Sequence, residues 1–381
     1  MANLNKDILL GTAIGDALGV PVEFEHRQEL GKNPVVGMRE YGTHNQPKGT
    51  WSDDTSLALC LAESLCKGYD LSEIGNNFVK WYYEGYWTPH GRVFDVGVTT
   101  ARAISYLQSG CKPELAGMDR ERDNGNGSLM RILPLVPYIL NMEVEERYKI
   151  IGEVSSLTHR HPRSILACIA LCEFAIQYIN QQSCEKAYQT MQQILLQLLK
   201  REIFIEEDVP FKRLVGLSYN EFKAIELKDI RSTGYVIDTL EASLWCIFNT
   251  SSFKDAVLKA VNLGDDTDTV GAIAGGLAGI IYGYDTIPSE WINVLARKDD
   301  IIELANRLDA ANLRLPHGVP SADEYLRFLG LEPIDIRFSL RDHSEGLPYK
   351  FVGDSNDRHL AWLAVRPQTV ETSLALGITP E

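Results

Sequence analysis

Between residues 4 and 311 the apolar side chains recur at helical spacing almost everywhere, and segments that alternate as strands do are scarce. The pattern predicts helices over 4–18, 52–66, 74–83, 98–107, 145–157, 163–180, 185–199, 235–248, 253–261, 270–282 and 301–311. Consecutive helices joined by short polar turns specify an all-α globule. Longer connections fall at about 19–51, 84–96, 110–128 and 201–232, the kind of segment that carries binding residues in a helical protein. The helix over 270–282 contains Gly271, Gly275, Gly276 and Gly279. Each interior glycine costs up to about 1 kcal/mol relative to alanine, so this helix makes sense at the centre of the molecule, where small residues let neighbours approach. Gly11 and Gly15 in the first helix read the same way.

Composition narrows the class. The 381 residues are 45% hydrophobic and 23% charged, enough for a large core. A formal net charge of −15 with no Lys/Arg run excludes non-specific binding to nucleic acid or to an anionic membrane. The seven cysteines are scattered and lack metal-ligand spacing, which suits a reducing, cytoplasmic compartment. Asp7 and Asp16 interrupt the first apolar stretch, so it does not read as a signal peptide. The apolar run 270–282 falls short of the roughly 18 residues of a membrane span, and a soluble protein is expected. After about residue 317 the texture changes: Pro316, Gly318 and Pro320 precede a short helical piece and the strand-like alternation Ile334-Asp335-Ile336-Arg337-Phe338. The expected organisation is an all-α domain over 1–317 and a small α+β or irregular C-terminal extension over 318–381.

Two acidic clusters, Ser52-Asp53-Asp54-Thr55 and Asp265-Asp266-Thr267-Asp268-Thr269, lead directly into predicted helices. One alone reads as a simple N-cap, because free N–H groups and the helix dipole favour a carboxylate there. Two together offer Asp53, Asp54, Asp266 and Asp268 with the hydroxyls of Ser52, Thr55 and Thr269, an all-oxygen set suited to Mg²⁺, Mn²⁺ or Ca²⁺. Pro21 stops the first helix near Gly19, leaving Glu23 just past a helix C-terminus, where a cation would favour it; the alternative is a surface Glu paired with Arg27 or His26. Asn124-Gly125-Asn126-Gly127-Ser128 joins a glycine loop to an expected helix start, with Arg131 one turn in. Such a loop presents N–H groups to anions, and an ordinary capped turn explains it as well. Asp95 stands before another helix and His159 and His161 before Pro162, positions common for caps and structural histidines. No Ser/His/Asp order or reactive-cysteine setting marks covalent catalysis.

Taken together, these residues resemble the ADP-ribosylglycohydrolase family, which includes dinitrogenase reductase activating glycohydrolases and ADP-ribosyl-acceptor hydrolases. The matching pieces are Gly11-Thr12-Ala13-Ile14-Gly15-Asp16-Ala17-Leu18-Gly19 with Pro21 and Glu23, Trp51-Ser52-Asp53-Asp54-Thr55, Phe94-Asp95-Val96-Gly97, Gly125-Asn126-Gly127 with Arg131, and Gly264 to Gly271. They occur in the family's order over roughly residues 5 to 312. The resemblance implies a dinuclear Mg²⁺ or Mn²⁺ centre in an acidic cleft, ligated by Ser52, Asp53, Asp54, Asp266, Asp268 and Thr269. It makes Glu23 a further ligand or a carboxylate beside the metals, and Asp95 an acid acting on the ribose. Gly125, Asn126, Gly127, Ser128 and Arg131 would hold the ADP portion, and His161 would border the cleft.

The implied reaction is metal-dependent hydrolysis of the bond between C1″ of ADP-ribose and an acceptor, most simply a mono-ADP-ribosylated protein side chain, with Glu23, Asp54 or Asp266 managing the proton. Two readings from other classes stand beside it: an inactive relative that binds ADP-ribose, and a dinuclear phosphoesterase acting on nucleotides.

Overall fold

The computed structural model describes residues 3–314 and two short strands, Lys350–Val352 and Leu363–Val365. The first part is helical, as the apolar period predicts, and each of the eleven expected helices is present to within a turn. Local signals set several ends. Asp70 caps Leu71–Glu84 through the N–H groups of Ser72 and Glu73, Gly85 closes that helix in the left-handed region, and Pro162 opens Pro162–Gln181. That last helix has the length and hydropathy of a membrane span, but 72% of its apolar window is buried inside the molecule, as in a core helix.

The arrangement is organised by a seam between the first helix, Leu4–Gly19, and the central helix, Thr267–Tyr282. Their glycines meet in antiparallel order. A Cβ on Gly11 would stand 2.3 Å from the carbonyl oxygen of Gly275, one on Gly15 1.9 Å from that of Gly271, and one on Gly19 2.4 Å from the Asp268 Cα. The C-terminal end of one helix is thereby set on the N-terminal end of the other. The helices Val236–Phe248, Phe253–Val261 and Pro162–Gln181 pack around the central one and enclose it.

Two expectations are corrected. The connection over 201–232 holds short helices, Asp208–Gly216 and Tyr219–Lys223, whose few apolar residues Phe211, Leu214 and Phe222 are buried against Cys184–Leu198. Their apolar spacing is too brief to reveal a helical period. No α-helix follows Gly127; the chain passes through turns until Leu135–Ile139. The guanidinium of Arg131 donates to the Gly127 carbonyl, the acceptor that the Arg131 N–H would use in a helix, and Pro134 follows.

Chain contacts divide the protein into Met1–Ala311 and Asn312–Glu381. In the second unit the two described strands pair antiparallel, Lys350 opposite Val365. The expected boundary at 317 and the alternating segment 334–338 lie outside the described residues.

Candidate metal centre and cleft

Glu23 follows a single 3-10 turn, Val20–Val22, at the end of the first helix, and the seam places it beside the start of the central helix. Two backbone bonds lock that meeting: Phe24 N–H donates to the Asp265 carbonyl at 2.7 Å, and Asp265 N–H donates to the Glu25 carbonyl at 2.9 Å. Phe24 and Asp265 both hold left-handed backbone, at φ 65° and 61°, a conformation that non-glycine residues adopt at a cost and that clusters at functional sites.

Glu23, Asp266 and Asp268 offer carboxylate oxygens that all lie within 4.8 Å of one another. Two oxygens on opposite sides of one ion, with bonds of about 2.1–2.4 Å, would stand that far apart. Glu23 stands more than 240 residues before Asp266 and Asp268, so the cluster is a product of packing. Asp266 accepts from the Asn126 side-chain amide at 2.8 Å, and the Asp266 N–H donates to the Ser232 carbonyl at 3.0 Å. Asp268 accepts from the Thr269 N–H through Oδ1, while its buried Oδ2 has no partner.

The second cluster opens Asp53–Leu65. Ser52 is its N-cap, accepting from the Asp54 N–H, and the Ser52 hydroxyl donates to Asp54 Oδ2 at 2.9 Å. Asp54 Oδ1 is buried without a partner. Two orphaned carboxylate oxygens among the acids of one site call for a counter-charge. With only oxygen donors from Glu23, Ser52, Asp53, Asp54, Asp266, Asp268 and Thr269, the set fits hard divalent cations. Burial, followed by mutual repulsion, pushes the carboxyls of Asp53, Asp54 and Asp268 well above their ordinary range. Burial raises Glu23 to about 7, against the hydrogen bond from His44.

Above these acids lies a cleft of about 400 Å³, lined by Glu23, Asp53, Asp95, Gly125, Asn126, Gly127, His159, Asp266 and Thr269 among others. The glycine loop is held from behind: Asn126 N–H donates to the Gly234 carbonyl, and the Asn126 side chain bridges Thr239 and Asp266. Asp95 does not cap Val98–Gln108, which starts at Gly97 with no side-chain cap. It holds φ 50°, and its carboxylate faces Glu23 and His44, with one ligand atom of each within 4.8 Å of the others.

Two residues assigned to the ADP portion, Ser128 and Arg131, and His161, expected at the cleft border, do not line the cleft. Arg131 is wholly buried beneath it, donating to the carbonyls of Gly127 and Val154 and lying over the Phe78 ring. Ser128 is buried against the Ser155 hydroxyl. His161 caps Pro162–Gln181 by accepting from the Arg163 N–H, beside Glu121 and Glu207. Their chain positions are next to the site, but their side chains turn to the scaffold. Sequence reasoning missed three others. His159, the first member of the same histidine pair, lines the cleft against Gly127; burial holds it neutral, its pKa pushed down to about 3. His44 sits on the Glu23 carboxylate between the rings of Phe24 and Phe94, and no sequence pattern marks it. Asp16 stood inside the Gly11–Gly19 motif without a role; it is wholly buried and hydrogen-bonded to the start of the Asp53 helix.

The sequence model of the ADP-ribosylglycohydrolase family matches residues 5–316. The ADP-ribosylarginine hydrolase Tri1 of Serratia proteamaculans (strain 568) is 37% identical over 308 residues, 80% of this chain and 78% of that protein. The ADP-ribosyl-[dinitrogen reductase] glycohydrolase of Rhodospirillum rubrum is 31% identical over 313 residues, 79% of this chain and 92% of that one. A solved structure described as an ADP-ribosylglycohydrolase-related protein complex superposes with a TM-score of 0.66 at 30% identity, covering 81% of this chain and 98% of its own. The protein belongs to the ADP-ribosylglycohydrolase family and is a hydrolase of glycosyl bonds.

Proposed function

We propose that the protein hydrolyses the bond between C1″ of ADP-ribose and an arginine side chain of a modified protein, using two divalent cations, Mg²⁺ or Mn²⁺, and releasing intact ADP-ribose. The observation that carries the metal dependence is the convergence of Glu23, Asp266 and Asp268 on one point, with unpartnered oxygens on Asp54 and Asp268 beside it. Ser52, Asp53, Asp54, Asp266, Asp268 and Thr269 would hold the cations, with Glu23 completing the set. Bound there, the cations supply orientation of the ribose hydroxyls and a lowered pKa for the attacking water.

The chain's own groups do the rest. The Gly125-Asn126-Gly127 backbone forms the wall against which the anionic half of the substrate lies, its position fixed by Asn126. Asp95 faces the ribose. Glu23, with His44 orienting one carboxylate oxygen, takes or gives a proton at the other. Positive charge grows on the ribose ring as the bond breaks, and the ring of carboxylates stabilises it. The arginine acceptor is supported by the naming of the Serratia relative and by the cleft lining, where Phe24 and the carboxylates of Glu23 and Asp95 suit a guanidinium. Seven free cysteines support a reducing, cytoplasmic setting.

The test is mass spectrometry of products from an arginine-ADP-ribosylated protein, with and without chelator. Intact ADP-ribose, formed only when cations are present, is expected. AMP or phosphate as product, or turnover undiminished by chelator, refutes the reading.

A further inference from the structure

The Asp53 helix starts with an anomaly. Asp53 and Asp54 occupy its first turn, where carboxylates ordinarily fold back onto free N–H groups. Among the described residues, neither accepts a bond from one. Those donors are met from another helix. Asp16, wholly buried in the first helix, accepts from Ser52 N–H at 2.9 and 3.0 Å, from Thr55 N–H at 3.0 Å and from the Thr55 hydroxyl at 2.6 Å. The Asp54 N–H goes to the Ser52 hydroxyl oxygen at 3.3 Å. The local acids are left with oxygens to spare, and Asp54 Oδ1 has no partner at all.

We propose that Asp16 is a positioning residue of the cation centre: it caps the Asp53 helix from outside, so that Asp53 and Asp54 are released from capping and presented to the cations. This rests on the metal-dependent reading given above. The same helix governs the other half of the site. One turn on from Asp16, Gly19 lies against the Asp268 backbone, and the Thr267 hydroxyl donates to the Gly19 carbonyl at 2.8 Å. The last turn of the first helix therefore sets the spacing between the two acidic clusters. A carboxylate is required at position 16, because four bonds arrive and all are donated to it. An Asn would offer one oxygen and turn an NH₂ toward the donors of Ser52 or Thr55.

The test is calorimetric titration of Mn²⁺ into the chelator-stripped full chain for the wild type, Asp16→Asn, Thr55→Val and Asp266→Asn, alongside kinetics and thermal melts in chelator. Asp16→Asn is expected to bind Mn²⁺ about 10–100-fold more weakly, the usual cost of removing a group that orients a ligand, with kcat lowered more than KM is raised. Thr55→Val removes one of the four bonds and should weaken binding in the same direction by less. A merely structural cap would lower the melting temperature and leave the affinity of the folded protein for Mn²⁺ unchanged; that result for Asp16→Asn overturns the proposal. Should Asp16→Asn not fold, wild-type Mn²⁺ affinity in Thr55→Val overturns it instead. A wild type that binds no more Mn²⁺ than Asp266→Asn overturns the metal reading itself, and this inference with it.

Discussion

Gly15→Ala sets two opposed effects against each other at the seam that builds the site. Helix propensity favours the change by up to about 1 kcal/mol. Packing opposes it. The added Cβ would stand 1.9 Å from the Gly271 oxygen, 2.4 Å from its carbonyl carbon and 3.0 Å from the Ala272 nitrogen. Carbon and oxygen in close contact across helices stand about 3.3–3.6 Å apart, so the two backbones must part by roughly 1.4 Å. No side chain is available to rotate away, which places the cost toward the upper end of the about 1–3 kcal/mol typical of overpacking. Subtracting the propensity gain leaves a net loss of about 2 kcal/mol, or a fall of roughly 3 °C in the Tm of a unit this long. The assay is thermal unfolding in chelator beside a control, Gly216→Ala, at the end of Asp208–Gly216 where an added Cβ meets nothing within 4 Å. The control should melt at or above the wild-type temperature. Gly15→Ala melting as high as the wild type would show that the seam yields freely and refute the reasoning. Below its melting point Gly15→Ala should also bind Mn²⁺ less tightly, because the first helix would stand off from Asp268.

Asp266→Asn should lower ADP-ribose release by more than about 100-fold with an unchanged circular dichroism spectrum; near-normal turnover would refute the proposed centre. In chelator, the folded protein should lose stability as pH rises from 6.5 to 8. Glu23, near 7, and Asp53, Asp54 and Asp268, pushed well up, keep protons that the unfolded chain has lost, and His44, raised by its bond to Glu23, acts in the same direction. His159, with its pKa pushed down to about 3, opposes this only in the lower part of that window, where the unfolded imidazole still takes up a proton, and its effect is gone by pH 8. A urea midpoint that does not move between the two pH values, or that moves equally with saturating Mn²⁺, would contradict this account. Arg131→Leu should cost about 2–5 kcal/mol, since it strands the buried carbonyls of Gly127 and Val154, and should raise KM by loosening the glycine loop. A variant that melts and binds like the wild type would show that Arg131 supports neither.

The helices were legible because each buries one face, and the apolar period survives even where the ends are functional. The central helix shows where that signal stops. Its period suggests a start at 270, whereas it begins at Thr267, since Thr267, Asp268 and Thr269 form its first turn but are polar. The acidic clusters were legible because two short runs of acid before helices are unusual in themselves. Asp16 was not, because a single acid in an apolar helix looks like an interruption until the donors around it are seen. His44 was hidden in a connection whose turn, Gly42–His44, follows from no local pattern. Ser128, Arg131 and His161 failed in the opposite way. They stand within a few residues of the cleft in the chain, and proximity in sequence says nothing about which way a side chain turns.

By itself the sequence determined what forms locally: helices from apolar period, their ends from Ser52, Asp70, Gly85 and Pro162, and two oxygen-rich helix starts able to hold cations. Only the tertiary structure decided that Glu23 meets Asp266 and Asp268, that Asp16 caps the Asp53 helix, and that Arg131 lies under the floor. Helix formation depends on neighbours three or four residues away, while a site that joins residue 23 to residue 268 depends on how closely two helices can approach. Here that distance is set by glycines that leave room for nothing but backbone.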